Sequence, residues 1–327
     1  MRGLSLPPTS ARLSLRAIAR AITWIENGEP EARGLLDAVY RKLGHAYRVG
    51  ITGPPGGGKS TLTAAMTRLL RERSRTVGIV AVDPTSPFSG GALLGDRVRM
   101  STVATDPGVF IRSMAARGSL GGLAHTTGEV SDLLDATGFD LVLIETVGVG
   151  QSEVDIAEAA DTTLVVLSPE AGDAVQAMKA GLMEIADIFV VNKADRDGAE
   201  KMMRTIRAML ELGPKGDWDP PVLLTQAQRG DGVREILEAL SRHRSHLETQ
   251  GLLESRRRDR VEARLRGLVQ ERLWVLFRDT LGEASPLARW TARVAAGEAA
   301  PYRAVEAMIA DLVDHLSGPR LTDDPPS

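Results

Sequence analysis

Short apolar segments alternate with longer, helix-like segments from residue 48 onward. The short segments are bounded by turn-forming residues, which is typical of buried strands. They lie at 48–52, 76–82, 109–112, 140–145, 162–167, 187–191 and 221–224. Because helical patterns separate most of them, we predict an α/β fold with a mostly parallel sheet, in which ligands bind at the carboxyl ends of the strands.

Helical patterns without strands occupy both ends of the chain. Residues 11–45 carry two apolar stripes, and further helices are predicted at 233–247, 253–281, 286–295 and 301–316. We therefore predict an N-terminal helical extension (1–46), an α/β domain (47–245) and a C-terminal helical region (246–327) that ends in a disordered tail. The apolar positions between 261 and 276 need a surface to bury them, and a partner subunit is one candidate.

The segment Gly53–Ser60, with sequence GPPGGGKS, is a poor strand and a poor helix. It fits the pattern G-x-x-x-x-G-K-[ST], which predicts a phosphate-binding loop between a strand and a helix. Lys59 would then reach the β- and γ-phosphates, and the Ser60 hydroxyl would bind Mg²⁺. A flexible turn is the alternative. The match and its context favour a nucleotide site, whose candidate residues are Gly53, Gly56, Gly57, Gly58, Lys59, Ser60 and Thr61.

A second pattern predicts a metal-binding strand. The apolar run 141–144 ends at Glu145, a carboxylate that can hold Mg²⁺ or its water. Gly148 completes an E-x-x-G pattern, and its amide could bind the γ-phosphate. The pattern is common by itself, but it gains weight downstream of a phosphate-binding loop. Val149 stands where many GTPases have a water-orienting glutamine, so we expect the free protein to hydrolyse GTP slowly.

A third pattern predicts recognition of guanine. Asn192-Lys193-Ala194-Asp195 follows an apolar run and fits N-K-x-D. The Asp195 carboxylate can accept hydrogen bonds from guanine N1–H and the 2-amino group, which adenine does not offer. Asn192 would brace the loop and Lys193 would cover the ring. An ordinary turn is the alternative. Ala227, after the last strand, is a further candidate for contact with the base.

Composition narrows the possible partners and chemistry. The chain has 327 residues, no cysteine and a net charge of −3. The absence of cysteine excludes disulfides and thiolate sites, and the charge gives no general attraction to nucleic acid. No apolar run reaches the about 20 residues of a membrane helix, so we expect a cytoplasmic protein without a membrane partner. We interpret Arg256-Arg257-Arg258 as a solvated helix face.

Several longer stretches resemble one known family. They are Val82–Met100 (VDPTSPFSGGALLGDRVRM), Arg117–Leu123 (RGSLGGL) and Glu145–Gln151 (ETVGVGQ), together with Arg16–Ile22 and Gly297–Tyr302 near the two ends. The chain is similar across nearly its whole length to the methylmalonyl-CoA mutase-associated GTPases. These are the MeaB and MMAA proteins, also known as ArgK-type transport kinases.

The resemblance implies a P-loop GTPase domain of the class that includes signal-recognition and nickel-insertion GTPases, and a homodimer held by the C-terminal helices. It implies a GTP-hydrolysing chaperone that gates adenosylcobalamin delivery to an acyl-CoA mutase, foremost methylmalonyl-CoA mutase, and protects that enzyme. By matching positions, Ser60, Asp83, Asp96 and Glu145 would surround Mg²⁺, and Lys59, Asp96, Glu145 and Gly148 would serve hydrolysis. A switch loop that couples to the mutase would contain Asp173, Gln176 and Lys179. We expect the segment 170–179 to be dispensable for nucleotide binding.

Three other functions stay open at this point. One is a nickel-insertion GTPase, which would need thiolate or clustered imidazole ligands; His243 and His246 could share a helix face, but two exposed histidines make a weak site. Another is an accessory kinase of amino-acid transport, against which Asn192–Asp195 argues. The last is a scaffold without catalysis, against which Lys59 and Ser60 argue. Sequence alone does not identify the client mutase or the nucleotide state that binds it.

Overall fold

The computed structural model describes residues 14–84, 100, 102–116, 122–146, 152–170, 181–213, 216–281 and 286–317. These residues form a seven-stranded sheet in the order β3-β2-β4-β1-β5-β6-β7, with every neighbouring pair parallel. The predicted α/β fold is thereby confirmed. The strands are β1 (Tyr47–Thr52), β2 (Val77–Pro84), β3 (Val109–Ala116), β4 (Leu141–Thr146), β5 (Thr162–Leu167), β6 (Ile188–Asn192) and β7 (Val222–Thr225).

Helices connect the strands and extend the chain at both ends. The helices before β4 are α1 (Leu15–Asn27), α2 (Pro30–Tyr40), α3 (Lys59–Glu72) and α4 (Gly122–Ala136). Those that follow β4 are α5 (Ser152–Ala159), the single turn α6 (Met183–Ile185), α7 (Ala199–Leu212), α8 (Val233–Thr249), α9 (Leu252–Leu281), α10 (Pro286–Ala295) and α11 (Pro301–Ser317).

Both faces of the sheet are covered, so β1, β5 and β6 are buried at every position. β5 and β6 are accordingly rich in apolar residues, whereas β1 also carries Arg48, which is buried and pairs with Asp132 at 2.6 Å. On one face Leu62 of α3 and Ile236 of α8 pack with Ile51 of β1. On the other face the helices α1, α2, α4 and α5 form a second apolar cluster, and α7 packs over β5, β6 and β7 in a third. The resulting parallel sheet presents the carboxyl ends of its strands at one edge.

The N-terminal helices pack on the sheet domain. α1 begins after Ser14, whose hydroxyl accepts a hydrogen bond from the Ala17 N–H at 3.2 Å, and it ends at Gly28 with φ 65°. The predicted stripe of α1 is buried at Ile18 and Ile22, where it joins the cluster under β2 and β3. Capping and burial together explain why this segment is helical.

The chain divides into two compact units between Val261 and Glu262. The boundaries predicted at 46/47 and 245/246 stay predictions. In the second unit α10 and α11 contact each other. Large apolar side chains stay exposed along α9 and α11; these are Val261, Leu265, Leu268, Val269, Leu273, Trp274, Tyr302, Val305, Ile309 and Val313. Among the described residues no helix has the length and apolar character needed to cross a membrane. The cytoplasmic location stays a prediction, and the tail after 317 lies outside the described residues.

The amino-terminal edge of the sheet carries a network of buried ion pairs that involves the start of α9. Asp161, just before β5, is 0% exposed and accepts hydrogen bonds from Arg257 at 3.1 Å and Arg260 at 2.8 Å. Asp187, just before β6, accepts two bonds from Arg256 at 3.0 and 3.1 Å. The interpretation of the arginine run as a solvated face is therefore wrong for Arg256 and Arg257, because these arginines neutralise carboxylates at the ends of the strands.

The same edge holds the two histidines considered for metal binding. His243 is 0% exposed, its Nδ1 lies 2.7 Å from the Thr162 hydroxyl, and its Nε2 lies 3.2 Å from an Asp187 oxygen. Trp218 packs on both imidazoles, with ring centroids 4.7 Å from His243 and 5.3 Å from His246. The expectation of two exposed histidines is wrong, because His243 is buried in the core and His246 is half-buried against Trp218.

Candidate nucleotide site

The loop between β1 and α3 needs glycine because of its backbone conformation and its close contacts. Gly53, Gly56 and Gly58 have φ values of 129°, 78° and 86°, in the region that favours glycine. A Cβ atom on Gly53 would lie 2.1 Å from the carbonyl oxygen of Val166, and one on Gly58 would lie 2.2 Å from the side-chain amide of Asn192. The loop therefore lies directly against the ends of β5 and β6.

Lys59 begins α3 and folds back over this loop. Its side chain is buried, and its Nζ donates to the carbonyl oxygens of Gly53 at 2.7 Å and Pro54 at 3.0 Å. Ser60 and Thr61 follow in the first turn of α3. An ammonium group within a glycine loop at a helix N-terminus gives strong positive potential there. Such a place can bind the phosphates of a nucleotide.

Glu145 joins the loop from the neighbouring strand. The register pairs Ile51 of β1 with Glu145 of β4, which brings the carboxylate to the start of α3. Its Oε1 accepts a hydrogen bond from the Ser60 hydroxyl at 2.6 Å, and its Oε2 accepts one from the Thr63 hydroxyl at 2.9 Å. A hydroxyl oxygen and a carboxylate oxygen at this separation are the hard donors that Mg²⁺ prefers, so this pair fits the ion.

The loop after β6 forms the other half of the site. The Asn192 side-chain amide donates to the Gly57 carbonyl at 2.9 Å, and its oxygen accepts from the Ala227 N–H at 3.1 Å. Asn192 thus connects three loops, which agrees with the predicted bracing role. Beside it lies a pocket of about 170 Å³. The pocket is lined by Gly58, Thr61, Asn192, Lys193, Asp195, Arg196, Gln226, Ala227 and Gln228.

Two groups at this site were not among the predicted residues. Thr63 contacts Glu145 from the same face of α3 as Ser60, and its spacing of three residues could have indicated this. Glu170, after β5, accepts a hydrogen bond from the Lys193 ammonium at 2.6 Å and lies 3.2 Å from Nε of Arg196. The hydrogen bond from Lys193 lowers the pKa of Glu170, so this carboxylate stays ionised into acidic solution.

The structure brings together Gly53, Gly56, Gly57, Gly58, Lys59, Ser60, Thr61, Glu145, Asn192, Lys193, Asp195 and Ala227 at one edge of the sheet. The backbone of Asp83 lies near the end of β2, one residue after Val82, which pairs with Thr146 of β4. The side chain of Asp83 lies outside the described part of the chain, as do Asp96, Gly148, Asp173, Gln176 and Lys179. Their predicted roles stay predictions.

Comparison with known proteins yields one family and consistent relatives. The sequence model of the family "Methylmalonyl Co-A mutase-associated GTPase MeaB" matches residues 18–280. A putative GTPase of Pyrococcus abyssi is 46% identical over 91% of this chain and 93% of its own length. The mitochondrial methylmalonic aciduria type A homolog of Mus musculus is 32% identical over 89% of this chain and 75% of its own length.

A solved structure agrees with the fold. The crystal structure of a LAO/AO transport system kinase superposes with a TM-score of 0.70 at 28% sequence identity. The superposition covers 91% of this chain and 93% of the other. The likeness therefore extends over nearly all of both chains, including the sheet that carries the candidate site.

Proposed function

The chain belongs to the MeaB family of methylmalonyl-CoA mutase-associated GTPases, P-loop GTPases that bind GTP and GDP, and we propose that it is the chaperone of an adenosylcobalamin-dependent acyl-CoA mutase. In this role it gates delivery of the cofactor and protects the mutase from inactivation. The foremost proposed client is methylmalonyl-CoA mutase. The observation that carries the proposal is the family match over residues 18–280, together with the mouse relative named for methylmalonic aciduria.

The proposed reaction is GTP + H₂O to GDP + phosphate. Lys59 and the amides of Gly56–Gly58 would hold the β- and γ-phosphates, and Asp195 would accept the guanine N1–H and 2-amino hydrogens. Asn192 supports this arrangement, since it bonds to both the phosphate loop and Ala227 beside the base pocket. Phosphoryl transfer depends on such positioning and on stabilisation of charge more than on covalent chemistry.

Ser60 and Glu145 would hold Mg²⁺, with Asp83 and Asp96 as further oxygen ligands. The ion would neutralise charge on the phosphates when bound. The support for this assignment is the 2.6 Å contact between the Ser60 hydroxyl and the Glu145 carboxylate. Thr63 keeps the second Glu145 oxygen in place through its own hydroxyl, so the carboxylate is oriented before any ion arrives.

The proposed mechanism includes acceleration of GTP hydrolysis by a partner protein. Val149 occupies the position where many GTPases carry a water-orienting glutamine. We propose that the free chain hydrolyses GTP slowly and that the mutase accelerates it. The predicted switch loop with Asp173, Gln176 and Lys179 would transmit the nucleotide state, because it follows β5 at the nucleotide edge of the sheet.

A homodimer through the C-terminal helices is part of the proposal. Its support is the exposed apolar stripe of α9, where Leu265 is 57% exposed and Val269 is 55% exposed. A helix that leaves such a stripe open is stabilised by covering it. We propose that the chain does not bind nucleic acid, because Arg256 and Arg257 of the basic run already pair with carboxylates of the chain.

The proposal is tested by mixing the purified chain with candidate acyl-CoA mutases. We expect one mutase to bind in a nucleotide-dependent manner in pull-downs with GTP or GDP, and to raise the GTPase rate. The rise should be smaller than the about 10³- to 10⁵-fold effect of an arginine finger. The proposal is wrong if no acyl-CoA mutase binds in either state or changes the rate. A preference for ATP over GTP in competition binding would favour the transport-kinase alternative.

The switch loop provides a sharper form of the same test. Replacement of Asp173, Gln176 and Lys179 by alanine should leave GTP binding intact and remove stimulation by the mutase. A triple variant that is stimulated as strongly as the unmodified chain contradicts the coupling role. A variant that no longer binds GTP would show that the segment contacts the nucleotide itself.

A further inference from the structure

Glu170 contacts two cationic side chains of the loop that follows β6. Its Oε2 lies 2.6 Å from the Lys193 ammonium, and its Oε1 lies 3.2 Å from Nε of Arg196. Lys193 and Arg196 both line the candidate base pocket, on either side of Asp195 in sequence. One carboxylate from the end of β5 thus engages both cations that neighbour the proposed guanine-reading residue.

We propose that Glu170 is a positioning residue for guanine recognition, which holds Lys193 beside the base and keeps Arg196 from capping Asp195. This inference rests on the proposed roles of Lys193 and Asp195 in the nucleotide site. It assigns to Glu170 a role in nucleotide affinity, and so separates it from the rest of the segment 170–179, which we expect to be dispensable for nucleotide binding.

The position of Arg196 gives the first argument. Its Nε is 3.2 Å from Glu170 and 3.7 Å from the Asp195 Oδ2, so the guanidinium lies between two carboxylates and closer to Glu170. Without the negative charge of Glu170, Asp195 would be the nearest carboxylate to this guanidinium. A guanidinium donates readily to carboxylate oxygens. It would then compete with guanine for the oxygens that accept the N1–H and 2-amino hydrogens.

The conformation of Lys193 gives the second argument. Its φ is 57°, in the left-handed region that non-glycine residues rarely adopt. The backbone is held there by the bonds from the Ala194 N–H to Thr225 O at 3.0 Å and from the Arg196 N–H to Lys193 O at 2.9 Å. The bond to Glu170 adds an anchor at the far end of the side chain. Unusual backbone conformations of this kind concentrate at binding sites.

The exposure of these groups limits the size of the effect. The side chains of Lys193 and Glu170 are 34% and 45% exposed, so water screens their attraction. We therefore expect removal of the Glu170 charge to weaken GDP binding by about threefold to fivefold. The mechanism acts on the base and not on the phosphates, so the loss should appear in the affinity for guanine nucleotides.

The experiment compares Glu170→Gln with a matched control, Glu200→Gln. Glu200 lies on α7 and pairs with Arg204 at 3.5 Å on the surface, so its replacement removes the same charge away from the pocket. Binding of GDP and of IDP, which lacks the 2-amino group, is measured by displacement of a fluorescent guanine nucleotide. Glu170→Gln should weaken GDP more than IDP, and Glu200→Gln should match the unmodified chain.

A double variant checks the role of Arg196. If Arg196 caps Asp195 when Glu170 is gone, Arg196→Ala in the Glu170→Gln background should restore part of the GDP affinity. Unchanged GDP affinity in Glu170→Gln, or an equal loss for GDP and IDP, would overturn the inference. Failure of the unmodified chain to bind GDP would instead count against the proposed nucleotide site, and a missing response to mutases against the proposed client.

Discussion

The two edges of the sheet hold buried carboxylates with different partners. At the carboxyl-terminal edge, Glu145 accepts hydrogen bonds from the hydroxyls of Ser60 and Thr63. At the amino-terminal edge, Asp161 accepts from the guanidinium groups of Arg257 and Arg260, and from the Arg48 N–H at 3.0 Å. Hydroxyl groups can turn and can themselves bind a metal ion, whereas guanidinium groups only donate. The first edge is suited to a ligand and the second to a fixed structure.

The pKa of Asp161 agrees with a fixed structural role of the amino-terminal edge. Burial alone would raise the pKa of this carboxyl, but Arg260 and Arg257 lower it to about 2. The ionised form is therefore the stable one, and its arginine partners come from α9. We infer that this edge fixes the base of α9 on the strands whose other ends carry the nucleotide loops.

Asp161→Asn should destabilise the fold without changing nucleotide affinity. The substitution removes a fully buried charge and leaves Arg257 and Arg260 without its compensation. Removal of one partner of a buried ion pair typically costs about 3–5 kcal/mol. Urea unfolding followed by circular dichroism measures the loss, and GDP titration of the folded variant measures the affinity. A variant of normal stability would contradict the structural role of this edge.

The pH dependence of stability provides a control for Asp161. Because its pKa is lower in the folded chain than in the unfolded chain, its stabilisation is fully present above about pH 4 and is lost as the pH falls towards about 2. The difference in unfolding free energy between the unmodified chain and Asp161→Asn should therefore shrink across this window. A difference that does not depend on pH would show that the ionised carboxylate is not its source.

Lys59→Ala should remove GTPase turnover while the fold survives. Lys59 lies over the phosphate loop rather than in the apolar core, so its loss removes a positive charge from the candidate nucleotide site. Loss of one preorganised donor at a reacting group lowers kcat by about 10²- to 10³-fold. Phosphate release measures the rate, and circular dichroism checks the fold. Unchanged turnover in a folded variant would contradict the assignment of the phosphate-binding loop.

Asp195→Asn should weaken GTP and move preference towards xanthine nucleotides. An amide can donate to the additional carbonyl of xanthine, whereas the carboxylate can only accept. Loss of a charged hydrogen bond of about 1.5–3 kcal/mol corresponds to roughly 10- to 100-fold in GTP affinity. Competition binding of GTP against XTP measures the change. If the variant keeps the original preference for GTP, Asp195 does not read the base.

The sequence patterns predicted the fold and the loops at the carboxyl-terminal edge of the sheet more fully than the ion pairs at the amino-terminal edge. Strands buried on both faces, such as β5 and β6, are rich in apolar residues, so their positions could be predicted closely. β3 extends four residues beyond its predicted end at 112, because residues 113–116 continue the parallel pairing with residues 81–84 of β2. The phosphate loop was visible because its glycines are contiguous in sequence.

Pairs between distant segments leave no such signal. Arg257 and Asp161 are 96 residues apart, and Glu170 and Lys193 are 23 apart, so no local period connects them. The contacts of His243 likewise involve Thr162 of β5 and Asp187 just before β6, both distant in sequence. Charged and polar residues of this kind read as solvated until the fold places their partners.

The smallest expected effect is a difference in the free energy of unfolding between substitutions of two adjacent arginines of α9. Arg257 donates to Asp161 and to the Ala46 carbonyl at 3.1 Å each, whereas Arg258 is exposed. Arg257→Ala should lower stability by about 1.5–3 kcal/mol, the value of hydrogen bonds to charged groups. Arg258→Ala should change it by less than about 0.5 kcal/mol, as surface substitutions do.

Both variants remove the same side chain from the same helix, so helix propensity and net charge cancel in the comparison. Urea unfolding of the pair at neutral pH measures the difference. Equal effects of the two substitutions would show that the contacts of Arg257 with the amino-terminal edge contribute nothing to the stability of the fold.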